Sequence, residues 1–339
     1  MAHDESGNQV TLYYRKPRAT GNFSMESSFD CMIESFPPDS AFRLRKHVLT
    51  HYSNGLFPRL RGILEAHRER GAINHVTGDV HYIVFGLPRN RTVLTIHDCV
   101  MMKHPNPIAR QILKWLWLDW PVRYCRYVTT VSDATKDDIV RYTGCSPDRV
   151  VVIPTLIANH FQAAARPFNE HCPRILHIGL APNKNFARHV AAISGLDCQF
   201  HIIGRLEPEH LRALAQNQIQ YTSEFNISAE AMVRAYRESD LVLFASTFEG
   251  FGMPILEAQS VGRPVVTGNM SSMPEVAGGA ACLVDPLNVD DIRRGVMRII
   301  QEQGYRESLV SRGFENVKRF SPQFVARQYE ELYRRIIPL

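Results

Sequence analysis

The chain has 339 residues, of which 45% are hydrophobic and 22% charged, with a net charge of +5. That length suggests about two domains of ~150 residues each, and the composition excludes disorder and a disulfide-stapled miniprotein. The mild positive charge suits an anionic substrate or an anionic membrane surface, although solubility alone also explains it; no basic, aromatic-interleaved stretch points to nucleic acid.

The opening stretch is polar and carries Asp4 and Glu5, which argues against a secretory signal. Val10 to Tyr14 alternates like a short strand, Gly21-Asn22-Phe23-Ser24 breaks the chain, and Met25 to Ser35 reads as a helix. Val80 to Phe85, Thr92 to His97 and Tyr127 to Val131 are β-branched-rich and predict strands, the last followed by a helix stopping at Gly144. In the second half the strand-like runs are Arg174 to Ile178, Gln199 to Ile203, Leu241 to Ala245, Pro264 to Thr267 and Ala281 to Val284. Helix-like runs separate them, so the expectation is α/β: two doubly wound, Rossmann-like domains with parallel sheets. The predicted division is 1–160, a linker at 161–173 containing Pro167 and Pro173, and 174–321, with a helix at 322–339 completing the first domain.

Seven cysteines are scattered with no CxxC pair, so neither a zinc site nor a disulfide framework is expected. Reduced thiols and the lack of any apolar run near ~20 residues predict a cytoplasmic protein. Trp115, Trp117 and Trp120 fall within six residues, among Arg110, Lys114, Arg123 and Arg126. Tryptophan with basic residues suits the inner face of a membrane; packing into the first domain is the competing account.

The most informative stretch is Glu249-Gly-Phe-Gly-Met-Pro-Ile-Leu-Glu257, between the strand run ending at Ala245 and a helix starting near Pro254. Glycines permit close approach of backbone to ligand, and a helix N-terminus suits a pyrophosphate. Two carboxylates eight residues apart can each accept bonds from sugar hydroxyls, although a glutamate in the first helical turn also complements the helix dipole. Lys184, at the turn after Arg174 to Gly179, is placed either to pair with a phosphate or to sit solvated at the surface.

This stretch resembles the E-x7-E signature of retaining GT-B glycosyltransferases, family 4. The resemblance continues through Val261-Gly262-Arg263-Pro264-Val265-Val266 and Met273-Pro274-Glu275-Val276. It implies that Glu249 contacts the donor sugar, Glu257 the ribose, and that Phe251, Gly252 and Met253 approach sugar and phosphates through their backbone. Lys184 is implied as a diphosphate ligand. Leu180 stands where many relatives have arginine, so Arg205 is taken as a substitute. His97, at the end of Val93 to Ile96, matches the family histidine beside the donor sugar. Gly21 takes the place of the family's glycine-rich loop, and Asn22, His75 and Asp79 are read as acceptor-side residues. The implied activity is metal-independent, cofactor-free, retaining transfer of a hexose from a GDP- or UDP-sugar to a saccharide or lipid-linked acceptor. No D-x-D triplet occurs. A nucleotide-sugar epimerase and a non-catalytic nucleotide-sugar-binding subunit stand as alternatives.

Overall fold

The computed structural model describes residues 8–17 and 24–338, with Ser24 and Met25 described by backbone alone. These fall into two compact units, one running to residue 156 and resuming at 322, the other spanning 157–321.

The first unit holds strands β1 (Gln9–Tyr14), β2 (Arg43–Val48), β3 (Ile73–Val76), β4 (Thr92–Ile96), β5 (Tyr127–Thr130) and β6 (Val150–Val152). All pair in parallel, in the order β2-β1-β3-β4-β5-β6. The helix Pro322–Ile336 returns to this unit, packing Val325, Tyr329 and Tyr333 against Leu12, Tyr14 and Phe29.

Two differences from the sequence reading have simple causes. The Val80 to Phe85 run is not a strand but part of a 3-10 helix, His81–Gly86. Gly78 and Asp79 both take positive φ and turn the chain, while β3 is already paired on both edges, by β1 and β4. The strand β2 passed unrecognised because its sequence, RLRKHV, is charged and lies at the sheet edge, where charge keeps strands from adding to one another.

The second unit holds β7 (Arg174–Ile178), β8 (Gln199–Ile203), β9 (Tyr221–Glu224), β10 (Leu241–Phe244), β11 (Val265–Gly268) and β12 (Cys282–Val284). Their parallel order is β12-β11-β10-β7-β8-β9. The chain winds outward from β7 to β9, then restarts beside β7 at β10 and winds the other way. The switch point therefore lies between β7 and β10, where the loops leaving their carboxyl ends diverge and open a crevice. The segment read as a linker, 161–173, is part of this unit: Ala164 N donates to Val261 O at 3.2 Å, Asn169 N to Asp240 Oδ1 at 3.2 Å, and Arg306 to Glu170 at 2.7 Å.

Candidate functional site

At the switch point of the second unit, two loops are tied together. After β7 a single turn, Pro182–Lys184, ends at Asn185 in the left-handed region, φ 62°. Asn185 Nδ2 donates to Ala245 O at 3.0 Å and Pro286 O at 2.6 Å. Asn183 Nδ2 donates to Phe248 O at 2.8 Å, and Thr247 N to Asn183 O at 2.8 Å. The β10 loop is held from the other side by Ser271, whose hydroxyl donates to Glu249 O at 2.6 Å, and by Ser272, 2.7 Å from Phe251 O. Asn183 and these two serines escaped the sequence reading. The serines lie just before Met273-Pro-Glu-Val, which was the only signal available.

This bracing brings Lys184 onto Glu249. Lys184 Nζ donates to Glu249 Oε1 at 2.7 Å and sits 4.6 Å above the Phe244 ring, with the two side chains only 20% and 12% exposed. The loop then turns at Gly252, φ 110°, into the helix Met253–Val261. A Cβ at Gly252 would meet Ile255 Cδ1 at 3.2 Å and force an unfavourable φ, so glycine belongs there. Pro254 occupies the second helical position. Pro254 brings no N–H and Ile255 N already donates to Gly252 O at 3.0 Å, so the donors that this positive helix end offers an anion are the backbone N–H groups of Gly252 and Met253. Phe251 is itself buried, its ring edge-on to Phe320, so it can offer only backbone. Met253 is half-buried.

Glu257 lies in the second turn of that helix, not the first, so complementing the dipole does not account for it. Tyr236 donates a 2.5 Å hydrogen bond to its Oε2. Glu257 is partly exposed, but the dense surround pushes its carboxyl up to about 7, against the Tyr236 bond and the nearby Lys184 charge. Arg205 is well exposed, 3.8 Å from Glu207, with its guanidinium 5.8 Å from the Phe225 ring. The fold thus brings Lys184, Glu249 and Glu257 together and leaves Arg205 without a fixed place among them.

In the first unit His97 follows β4. Its Nε2 donates to Thr77 O at 2.6 Å and its ring meets Phe29 edge-on at 6.2 Å. Asp98 caps the next turn, accepting from Val100 N at 2.8 Å. His75, read as acceptor-side, is instead a core residue: fully buried, with Nδ1 2.7 Å from Tyr333 Oη and Nε2 2.7 Å from Thr95 Oγ1. Burial, helped by His97, pushes it down to about 3, so it stays neutral. Asp79 is partly exposed and pairs with Arg15, which also bonds Glu26 at 2.5 Å. Gly21 and Asn22 lie outside the described residues.

Trp115 and Trp120 are stacked 5.1 Å apart and exposed, 53% and 43%. Trp117 faces inward, its Nε1 donating to Asp79 O at 3.3 Å. Among the described residues no helix is long and apolar enough to cross a membrane.

Two doubly wound units of this kind define the GT-B class of glycosyltransferase fold. Solved structures agree: sucrose-phosphate synthase from Thermosynechococcus elongatus superposes with a TM-score of 0.77 at 16% identity, over 97% of this chain and 99% of that one. Anabaena HepE, in complex with UDP and glucose, gives 0.73 at 15%, over 96% and 99%. The family model Glycosyltransferase Family 4 matches residues 3–158 and Glycosyl transferases group 1 matches 172–302. The chain belongs to this family of glycosyltransferases. The O-antigen chain mannosyltransferase B of Escherichia coli is 28% identical over 281 residues, 74% of this chain and 72% of that protein.

Proposed function

We propose that this enzyme is a retaining, metal-independent hexosyltransferase of surface polysaccharide biosynthesis, taking its sugar from a GDP- or UDP-linked donor. The observation that carries this is the gathering of Lys184, Glu249 and Glu257 beside a helix N-terminus at the switch point. Glu249 holds the donor sugar and Glu257 the ribose; the diphosphate sits over Lys184 and the backbone of Gly252 and Met253. Similarity to the mannosyltransferase favours mannose as the sugar and a saccharide or lipid-linked saccharide as acceptor.

Among the described residues no carboxylate is set apart as a covalent nucleophile, so the proposed route is front-face displacement. The bond from the anomeric carbon to the diphosphate oxygen breaks, and the acceptor oxygen bonds to the same face. The acceptor proton passes to the departing diphosphate, whose charge Lys184 and the helix N-terminus stabilise. His97 is assigned to the transferred sugar, and Asp79 to the acceptor.

A second element of the proposal is attachment to an anionic membrane surface through the first unit. Trp115 and Trp120 are joined there by exposed Ile108 and Ile112, and the helix Leu56–Arg68 turns Phe57, Leu60 and Leu64 outward beside exposed Arg61 and Arg68. Apolar side chains in a basic surround suit a headgroup interface.

The deciding experiment screens GDP-, UDP- and ADP-sugars with and without saccharide acceptors, reading released nucleotide and product stereochemistry. Transfer with retention that survives EDTA is expected. Isomerisation of the donor without transfer, inversion, or loss of turnover restored by Mn²⁺ would each refute the corresponding part.

A further inference from the structure

Outside the residues already assigned, one side chain bears directly on the nucleotide end of the site. Tyr236 lies on the helix Ala229–Glu238, fully buried, and its hydroxyl donates to Glu257 Oε2 at 2.5 Å. Its own placement is rigid. Arg263 Nε donates to Tyr236 O at 3.2 Å, Arg263 Nη2 donates to Arg237 O at 2.7 Å, and Phe161 meets its ring edge-on at 5.6 Å. Glu257 takes no other hydrogen bond from the protein among the described residues, which leaves Oε1 as its free acceptor.

We propose that Tyr236 is a positioning residue of the nucleotide subsite: by occupying one oxygen of Glu257 it fixes the carboxylate so that the other accepts from a ribose hydroxyl. This rests on the reading of Glu257 as the ribose ligand. A carboxylate on a flexible two-carbon stem loses rotamer freedom on binding, and a bond already made to one oxygen removes that cost beforehand. A tyrosine in this place can only donate in the working pH range, because burial and the Glu257 charge push its own proton affinity far up. The bond also favours the ionised carboxylate over the acid, opposing the burial that holds it near 7. An ionised Glu257 keeps both oxygens as acceptors, whereas the acid would spend one on its own proton.

The role is separable from simple packing. Tyr236→Phe keeps the ring and its contact with Phe161 but frees Oε2. Calorimetric titration of GDP and UDP should show about tenfold weaker binding at pH 7, with the loss shrinking toward pH 9 as the carboxyl ionises. In steady state the donor KM should rise while kcat stays within about twofold. Glu257→Gln should weaken diphosphate binding about 10–100-fold without that pH dependence, and adding Tyr236→Phe to it should cost nothing more. A fluorotyrosine at 236, which keeps the fold and strengthens the donor, should move the binding midpoint to lower pH and decides the matter if Tyr236→Phe proves unfolded. Tyr236→Phe that binds like the parent at every pH, or a fluorotyrosine that leaves the midpoint unmoved, overturns the positioning role while Glu257 keeps its own. Parent-like binding in Glu257→Gln overturns the ribose reading and the positioning role with it.

Discussion

Replacing Glu249 by Gln should tighten the binding of a free nucleoside diphosphate while impairing use of the intact donor. Lys184 is bonded to Glu249 at 2.7 Å, both side chains largely withdrawn from water. Such a charge-assisted bond contributes about 1.5–3 kcal/mol. A lysine has three donors, so an incoming phosphate recovers only part of that; about 1 kcal/mol corresponds to roughly fivefold tighter diphosphate binding. The intact donor behaves differently, because its sugar loses the carboxylate. Loss of about 1.5–3 kcal/mol there lowers kcat/KM by about 10–100-fold. Lys184→Ala should weaken both ligands by about 10–100-fold. Calorimetry with GDP and UDP beside steady-state kinetics with the matching sugar nucleotides separates the cases. If Glu249→Gln and Lys184→Ala lose diphosphate affinity alike, the reasoning fails.

Acid should destabilise the protein between about pH 6.5 and 4. Burial holds His75 down at about 3, His189 at about 4 and His177 well below the usual histidine value, so the unfolded chain binds more protons in that window. Glu257, held up at about 7, works the other way, but as one group against three; a melting temperature flat from pH 7 to pH 4.5 would contradict this. Asn185→Ala removes two buried bonds from a left-handed residue and should cost about 3 kcal/mol in urea unfolding, with Asn185→Gly recovering only the backbone part. Replacing Trp115 and Trp120 together by Ala should reduce sedimentation with anionic liposomes without changing the melting temperature, whereas Trp117→Ala should lower that temperature; equal effects of both on stability would favour a purely structural role.

How much of this was legible depended on where each residue's partners lie. The strands β7, β8 and β10 are apolar runs with glycine or polar breaks, and their pattern is local. The clamp from Glu249 to Glu257 was likewise one continuous motif. His75 was misread because the groups that bury it and bond it are remote: Tyr333 is 258 residues away. In sequence it is merely a polar residue near Gly78 and Asp79. Tyr236 gave no signal at all, being one of several apolar positions on an amphipathic helix whose partner lies 21 residues on. The edge strand β9, YTSE, is polar because it is exposed, and so carried none of the marks of a strand.

The helix Pro322–Ile336 supplies Tyr329 and Tyr333 to a core in which Leu12, Tyr14 and Phe29 are encoded some three hundred residues earlier. During synthesis, then, the first unit to emerge from the ribosome cannot be the first to finish. It must wait with a face open until the helix from Pro322 has been made, while the second unit, encoded without interruption, can close on its own. A chain stopped just after Ser321 would expose the apolar face around Phe29 and leave His75 without its tyrosine, which makes early termination a route to aggregation rather than to a working fragment.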